Sequence, residues 1–323
     1  MYPLARTASN IVNGILAVQP GETVTIACDT EVAEGVTEAL AAMIVASGAR
    51  PVVVRDLARE IGGQEPSKPL AAALLASDAA ILQSKYALVH TNAFRAAFAA
   101  GVRLVELWGV SEEMMLNGGL VGDFAEIERV TNALGARLRQ SKTATFTTPG
   151  GTELTLSIVD RPVIELGAAR VQAGTFTSLP GGEVAISPVE GSAEGVLVDP
   201  FVLERVELGY RKEPLRIEVR GGKVVKVSGG REAAALEALL DRMGETARNI
   251  AEFAIGTNAW CRPYTSLREA KKTLGTAHVA LGDNKSLGGN VDSPMHMDMI
   301  FERPTVKFDD TLVMDNGALL LDR

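Results

Sequence analysis

The sequence has few of the features that identify disulfide-rich, membrane-spanning or nucleic-acid-binding proteins. Only two of its 323 residues are cysteines. These two, Cys28 and Cys261, lie far apart and indicate no disulfide framework. No apolar run approaches the roughly 18 residues of a membrane span. The formal net charge is −8 and lysine and arginine form no cluster, so nucleic acid is not expected as a partner.

A secretion signal is also missing from the first residues, because Met1–Arg6 has no basic start followed by an apolar core. We therefore expect a cytoplasmic protein without a membrane partner. Hydrophobic residues make up 46% and charged residues 22%, as in ordinary globular proteins. A chain of 323 residues has room for two domains, each with its own core.

The first part of the chain alternates strand and helix patterns. Gly21–Cys28 predicts a strand, Glu31–Ser47 a helix, and Pro51–Arg55 a buried strand. Such a β-α-β unit implies parallel strands. The alternation continues with predicted helices at Pro69–Ala76, Asn92–Ala100 and Asp123–Arg139, and predicted strands at Ala79–Leu82, Tyr86–His90 and Gly101–Trp108. No Gly-x-Gly-x-x-Gly follows the first strand, so nothing supports dinucleotide binding.

The pattern changes around Ser141–Gly151, after which short strands and glycine pairs dominate. We place a domain boundary there, with an N-terminal domain at residues 1–145 and a C-terminal domain at residues 146–323. The predicted fold class is α/β. It consists of a Rossmann-like parallel-sheet domain followed by a β-rich α+β domain that binds metal.

Histidine is scarce as well, and two of the three histidines lie near the C-terminus. His296 and Asp298 are two residues apart, just after Pro294, which favours extended backbone before it. In a strand such side chains share a face, whereas on a helix they would be about 200° apart. His278 also lies in a strand-like alternation. These residues predict a divalent-metal site, while His90 is expected to be structural.

Two carboxylates could complete this site. Glu183 follows a glycine turn at the start of an apolar strand, and Glu252 is the lone carboxylate in the apolar segment Ala251–Gly256. A buried carboxylate needs a cation, a metal or a proton. Five donors would suit two metal ions bridged by a carboxylate. The plainer alternatives are a turn carboxylate for Glu183 and a partly exposed helix end for Glu252.

Five segments of the C-terminal half occur in a specific order: Leu179–Val184, Pro188–Val196, Glu252–Gly256, Gly275–Gly282 and His296–Ile300. Together they resemble the aminopeptidase T family of thermophilic metallo-aminopeptidases. Leu4–Arg6, Gly21–Ile26 and Gly48–Val53 are similar to the N-terminal domain of that family.

The resemblance implies a metal-dependent aminopeptidase that releases N-terminal residues from peptides. It implies two divalent metal ions (zinc, cobalt or magnesium) and a homodimer. The family's metal ligands match Glu183, Glu252, His278, His296 and Asp298. In such a site the metal pair activates a bridging water and polarises the scissile carbonyl.

The sequence departs from the family at two positions. Lys271 stands where longer members carry an acidic residue, and Lys285 stands where they carry a tyrosine. Glu269 is a nearby carboxylate that could act as the catalytic base. However, Ser266 and Glu269 also fit a helix capping box, which alone would explain this glutamate.

Two other functions remain open. The first is a mononuclear iron ring-cleaving dioxygenase that resembles the dihydroxypyridine dioxygenases, which share this fold and the His-x-Asp pair. Those enzymes resemble this chain less closely at the site, with a histidine at the position of Glu252 and none at that of His278. The second is a non-catalytic protein that binds metal or a small ligand.

Overall fold

The structure is a computed structural model that describes residues 3–60, 64–89, 91–205 and 208–321. The chain forms two compact units. One comprises Met1–Ile127 with Gly167–Gly181, and the other comprises Glu128–Leu166 with Gly182–Arg323. The predicted division into domains at residue 145 stays a prediction. In the described ranges, none of the helices has the length and apolar character needed to cross a membrane.

The strands in chain order are β1 (Thr23–Asp29), β2 (Arg50–Asp56), β3 (Ala79–Gln83), β4 (Arg103–Glu106), β5 (Thr143–Thr147), β6 (Glu153–Ser157), β7 (Val163–Glu165), β8 (Phe176–Ser178), β9 (Glu183–Ile186), β10 (Glu194–Val198), β11 (Val202–Leu203), β12 (Gly209–Tyr210), β13 (Leu215–Arg220), β14 (Lys223–Gly229), β15 (Ile250–Gly256), β16 (Thr276–Gly282), β17 (His296–Glu302), β18 (Thr305–Phe308), β19 (Thr311–Asp315) and β20 (Ala318–Leu319). The α-helices are α1 (Ala5–Ser9), α2 (Glu34–Ala46), α3 (Lys68–Leu75), α4 (Asn92–Ala99), α5 (Glu112–Asn117), α6 (Phe124–Arg139), α7 (Arg231–Met243) and α8 (Leu267–Ala270).

The first unit contains a parallel sheet with the strand order β2-β1-β3-β4-β8. The helices α2, α3 and α4 connect successive strands, as parallel pairing requires. The expectation of a buried strand at Pro51–Arg55 is wrong. The strand exists as β2, but it lies at the sheet edge, where Val53 is 46% exposed.

The prediction of a strand at Tyr86–His90 is also wrong, because residues 86–89 form a loop. His90 lies outside the described residues. The carboxylate of Glu106 accepts hydrogen bonds from the backbone N–H groups of Leu88 and Val89. These side-chain bonds satisfy backbone donors that a sheet would otherwise pair. An apolar run can therefore be buried here without forming a strand.

The second unit contains two largely antiparallel sheets. Their strand orders are β14-β13-β10-β6-β5-β18-β19-β20 and β12-β11-β17-β16-β15-β9-β7. Both sheets contribute to one hydrophobic core. Phe146 of β5 lies 5.8 Å from Phe253 and 5.1 Å from Phe301 between ring centroids, so aromatic rings join the sheets. The predicted α/β fold class, with a parallel sheet and a β-rich part, is confirmed.

Candidate metal centre

The candidate ligands lie on one face of the sheet formed by the adjacent strands β17, β16, β15 and β9. Side chains alternate between the two faces of a strand. Val184, Phe253, Val279 and Met297 point into the hydrophobic core. The residues next to them in sequence therefore occupy the opposite face: Glu183, Glu252, His278, His296 and Asp298.

The register brings these side chains together. Ala280 pairs with Glu252 on one side and with Asp298 on the other, so both carboxylates flank a small residue. Gly282 pairs with His296. Residues without large side chains therefore lie between the candidate ligands and leave room for them to converge.

One group of donors consists of Glu252, His296 and Asp298, whose donor atoms all lie within 4.8 Å of one another. Nε2 of His296 lies 3.0 Å from Oε2 of Glu252 and 3.3 Å from Oδ1 of Asp298. Donors roughly 2.1 Å from one ion are separated by about 3.0 Å in octahedral and about 3.4 Å in tetrahedral coordination. The observed separations match those of ligands that share one metal ion.

A second group shares Glu252 with the first. It consists of Glu183, Glu252 and His278. Nε2 of His278 lies 3.5 Å from Oε2 of Glu183 and 3.5 Å from Oε1 of Glu252. The structure thus brings all five predicted ligands together, with Glu252 between the two histidines.

The partly buried Lys271 and the buried Lys272 contact the same carboxylates. Nζ of Lys271 lies 2.5 Å from Oδ2 of Asp298 and 2.7 Å from Oε2 of Glu204. Nζ of Lys272 lies 2.6 Å from Oε2 of Glu183. Sequence reasoning recognised Lys271 only as a departure from a family and missed Lys272 and Glu204. No sequence signal marks them, since their contacts depend on how the segments that follow α8 and β11 meet at the site.

The orientation of His296 is set by its second ring nitrogen. Nδ1 lies 2.7 Å from the backbone carbonyl oxygen of Asp283. A carbonyl oxygen only accepts, so Nδ1 must carry a proton and donate it. Nε2 then faces two carboxylates, and either a proton or a metal ion must lie between them. Oδ1 of Asp298 is buried and makes no hydrogen bond with any residue that the structure describes.

The pKa shifts of Glu252, Asp298 and His296 also indicate that the site favours positive charge between its carboxylates. Burial opposes ionisation of Glu252, yet hydrogen bonds from His278 and His296 lower its pKa to about 2. Burial likewise opposes charge on Asp298, but the Lys271 ammonium holds the pKa of that carboxyl well below its usual range. Burial disfavours the imidazolium of His296, whereas Asp298 and Glu252 raise its pKa well above the ordinary value.

Exposure distinguishes His296 from the other candidate ligands. Its side chain is 35% exposed, whereas those of Glu252, His278 and Asp298 are at most 7% exposed. The sheet therefore covers one side of the cluster, and His296 is more exposed to solvent than the other three ligands.

Glu269, the residue considered for catalysis, belongs to neither group of donors, and neither does Lys285. The Oγ of Ser266 accepts a hydrogen bond from the N–H of Glu269, as one half of the capping box requires. The carboxylate of Glu269 accepts from the backbone N–H of Arg262. Lys285 is half exposed and pairs with Asp292. The catalytic role considered for Glu269 stays a prediction.

Two solved structures share the fold of this chain. The 2,5-dihydroxypyridine dioxygenase of Pseudomonas putida KT2440 superposes with a TM-score of 0.83 at 16% identity, over 98% of this chain and 96% of that one. Wild-type AmpT of Thermus thermophilus superposes with a TM-score of 0.67 at 17% identity, over 98% of this chain and 99% of that one. At these identities each likeness establishes the fold. A comparison with curated protein sequences finds no match.

The fold shared with AmpT is consistent with the resemblance to aminopeptidase T, but the predicted activity is wrong. The family model for NicX, 2,5-dihydroxypyridine 5,6-dioxygenase, matches residues 13–321. This match contradicts the predicted classes of hydrolase, aminopeptidase and metalloprotease. It also contradicts the predicted peptide substrate. The segments that carried the resemblance encode strands, turns and polar positions, and one fold can support different chemistries. The expected homodimer stays a prediction. The chain belongs to the 2,5-dihydroxypyridine 5,6-dioxygenase family.

Proposed function

We propose that this protein is a ring-cleaving dioxygenase that acts on a dihydroxylated, nitrogen-containing aromatic ring. It would hold one divalent iron ion between Glu252, His296 and Asp298. The observation that carries the proposal is the placement of Nε2 of His296 at 3.0 and 3.3 Å from two carboxylate oxygens. Membership of the dioxygenase family supports ring cleavage with dioxygen as the reaction at that site.

The donor set fits a divalent iron ion. Three acceptor atoms face one another, and the Nδ1 proton of His296 points away from them towards Asp283. Imidazole and carboxylate donors suit iron, and iron oxygenases commonly use two histidines with one carboxylate. Here Glu252 provides a second carboxylate, while His278 is the second histidine beside it. A redox-inactive ion would bind such donors as well, so metal content alone does not test the activity.

Lys271 is a positioning residue in this proposal. Its ammonium binds Oδ2 of Asp298 and also Glu204, which leaves Oδ1 of Asp298 turned towards His296. Partners that orient a ligand in this way typically change metal affinity about 10- to 100-fold when they are removed. The carbonyl oxygen of Asp283 orients His296 in the same manner.

The proposed reaction consumes one dioxygen molecule per ring, and both oxygen atoms remain in the ring-opened product. Bound iron supplies the redox chemistry that allows dioxygen to react with an electron-rich ring. The protein binds and orients the ring beside His296, the partly exposed ligand. The buried carboxylates keep bulk water from the opposite side of the cluster.

The test is oxygen uptake by protein that was loaded anaerobically with ferrous iron. Addition of 2,5-dihydroxypyridine should consume oxygen and remove the ring absorbance in a one-to-one ratio. A monohydroxylated pyridine should give neither change. Lys285→Ala, which alters an exposed ion pair outside the cluster, is the matched control and should behave like wild type. An iron-loaded protein that consumes no oxygen with any dihydroxylated pyridine would overturn the proposal.

A further inference from the structure

We infer that the Lys272 ammonium occupies the role of a second metal ion, so that this cluster binds one divalent ion and not two. The inference rests on the proposed metal site but not on the ring-cleaving reaction. Five donors could in principle hold two ions bridged by Glu252. The structure instead places the amino group of Lys272 at the second group of donors.

The contact of Lys272 involves the donor atom that a second ion would need. Oε2 of Glu183 is the carboxylate oxygen that lies 3.5 Å from Nε2 of His278. The same oxygen lies 2.6 Å from Nζ of Lys272. Both side chains are at most 5% exposed, so solvent does not screen or replace this pair. An ion that bound this oxygen and His278 would compete with the ammonium for it.

The balance of charge leads to the same conclusion. Among the described residues in contact here, the four carboxylates are Glu183, Glu204, Glu252 and Asp298, and the two ammonium groups are those of Lys271 and Lys272. With neutral histidines, at most two negative charges remain, because burial raises the pKa of Glu204 to about 7 and so favours its protonated form. One divalent ion neutralises them, whereas a second would leave excess positive charge in a buried site, which is costly.

The first group of donors has no such obstacle. Lys271 binds Oδ2 of Asp298 and leaves Oδ1 without a hydrogen bond among the described residues. Glu252 presents Oε2 to His296 and Oε1 to His278. The two adjacent lysines therefore act differently. Lys271 orients a ligand of the first group, and Lys272 closes the second group.

The experiment counts bound manganese(II) ions without any substrate. Wild type should retain one ion per chain at saturation and show the resolved hyperfine spectrum of isolated manganese. Lys272→Ala removes the ammonium and its volume, so this variant should bind two ions and show the broadened spectrum of a coupled pair. The double variant Lys272→Ala with Glu183→Gln should return to one ion. Lys285→Ala should leave the count at one.

The outcomes separate this inference from the proposed function. Two ions in wild type, or one ion in a folded Lys272→Ala protein, would overturn the role of Lys272. No ion in wild type would overturn the metal site itself and, with it, the dioxygenase proposal. If Lys272→Ala folds only when manganese is added, two retained ions support the inference and one retained ion contradicts it.

Discussion

Nε2 of His296 lies 3.0 Å from Oε2 of Glu252, across the intervening strand β16. The opposite ring nitrogen must donate to the carbonyl oxygen of Asp283. The histidine and the glutamate can therefore face each other only with a cation between them. In the absence of metal that cation is the Nε2 proton, and a bound metal ion takes its place.

Glu252→Gln is expected to remove most of the metal binding while the protein stays folded. The amide keeps the shape of the side chain but loses the negative charge that both histidines face. Loss of a direct ligand should weaken binding more than the roughly 10- to 100-fold effect of an orienting residue. Calorimetric titration with ferrous or manganese ions measures the change. Glu218→Gln, a strand glutamate in the other sheet, is the control and should leave affinity unchanged.

The two histidines are expected to contribute unequally. His296 lies within 3.3 Å of both Glu252 and Asp298, whereas His278 approaches its carboxylates only to 3.5 Å and shares Glu183 with Lys272. His296→Gln should therefore reduce metal affinity more than His278→Gln. Both variants should unfold cooperatively because the core lies on the other face of the sheet. Equal losses would contradict this prediction, and a larger loss for His278→Gln would place the ion between Glu183, Glu252 and His278.

Gly282→Ala should disturb the start of β17. Gly282 has a φ of +103°, and an added Cβ would lie 1.9 Å from the backbone oxygen of Met295. Its strand partner is His296, so relief of this clash displaces a ligand. Gly151→Ala is a matched control, with a φ of +98° and nothing within 4 Å of the added atom. That control should cost about 1–3 kcal/mol in backbone strain and keep full metal affinity. Gly282→Ala should lose more stability and also lose metal affinity.

Glu190 is expected to stabilise the protein against acid. Burial opposes its charge, but hydrogen bonds from the backbone of Asn290 and the side chain of Asn284 lower its pKa from 4.5 to about 2. A lowered folded-state pKa contributes stability above the unfolded value that is lost as the pH falls through the folded value. The stability difference between wild type and Glu190→Gln should therefore shrink between pH 4.5 and 2. Denaturant titrations across this range measure it, and a difference that stays constant between pH 4.5 and 2 would contradict the prediction.

Strand periodicity predicted that His296 and Asp298 converge, whereas the role of the five residues as metal ligands stays a prediction. His296 and Asp298 had to share a face once β17 was a strand, and the isolated carboxylate of Glu252 required a cation. The lysines were not predictable in this way. Lys272 reaches Glu183 because the short helix α8 precedes a turn that returns the chain to the sheet. That contact is a tertiary relationship with no local periodicity.

The sequence motifs also could not distinguish a dioxygenase from an aminopeptidase. The segments that resembled aminopeptidase T determine strands and turns, and the solved structures of a dioxygenase and of AmpT both share that fold. The loop at residues 86–89 shows a similar limit in the first unit. Its apolar pattern favours a strand, but Glu106 satisfies the backbone N–H groups and makes a loop stable.

The most direct test of the account is to follow isotopically labelled dioxygen into the product. Protein loaded with one ferrous ion per chain should convert 2,5-dihydroxypyridine into a ring-opened product that contains both atoms of one labelled molecule, as read by mass spectrometry. Glu252→Gln should yield no labelled product. Incorporation of a single labelled atom, or of oxygen from solvent alone, would contradict ring cleavage by a dioxygenase at this site.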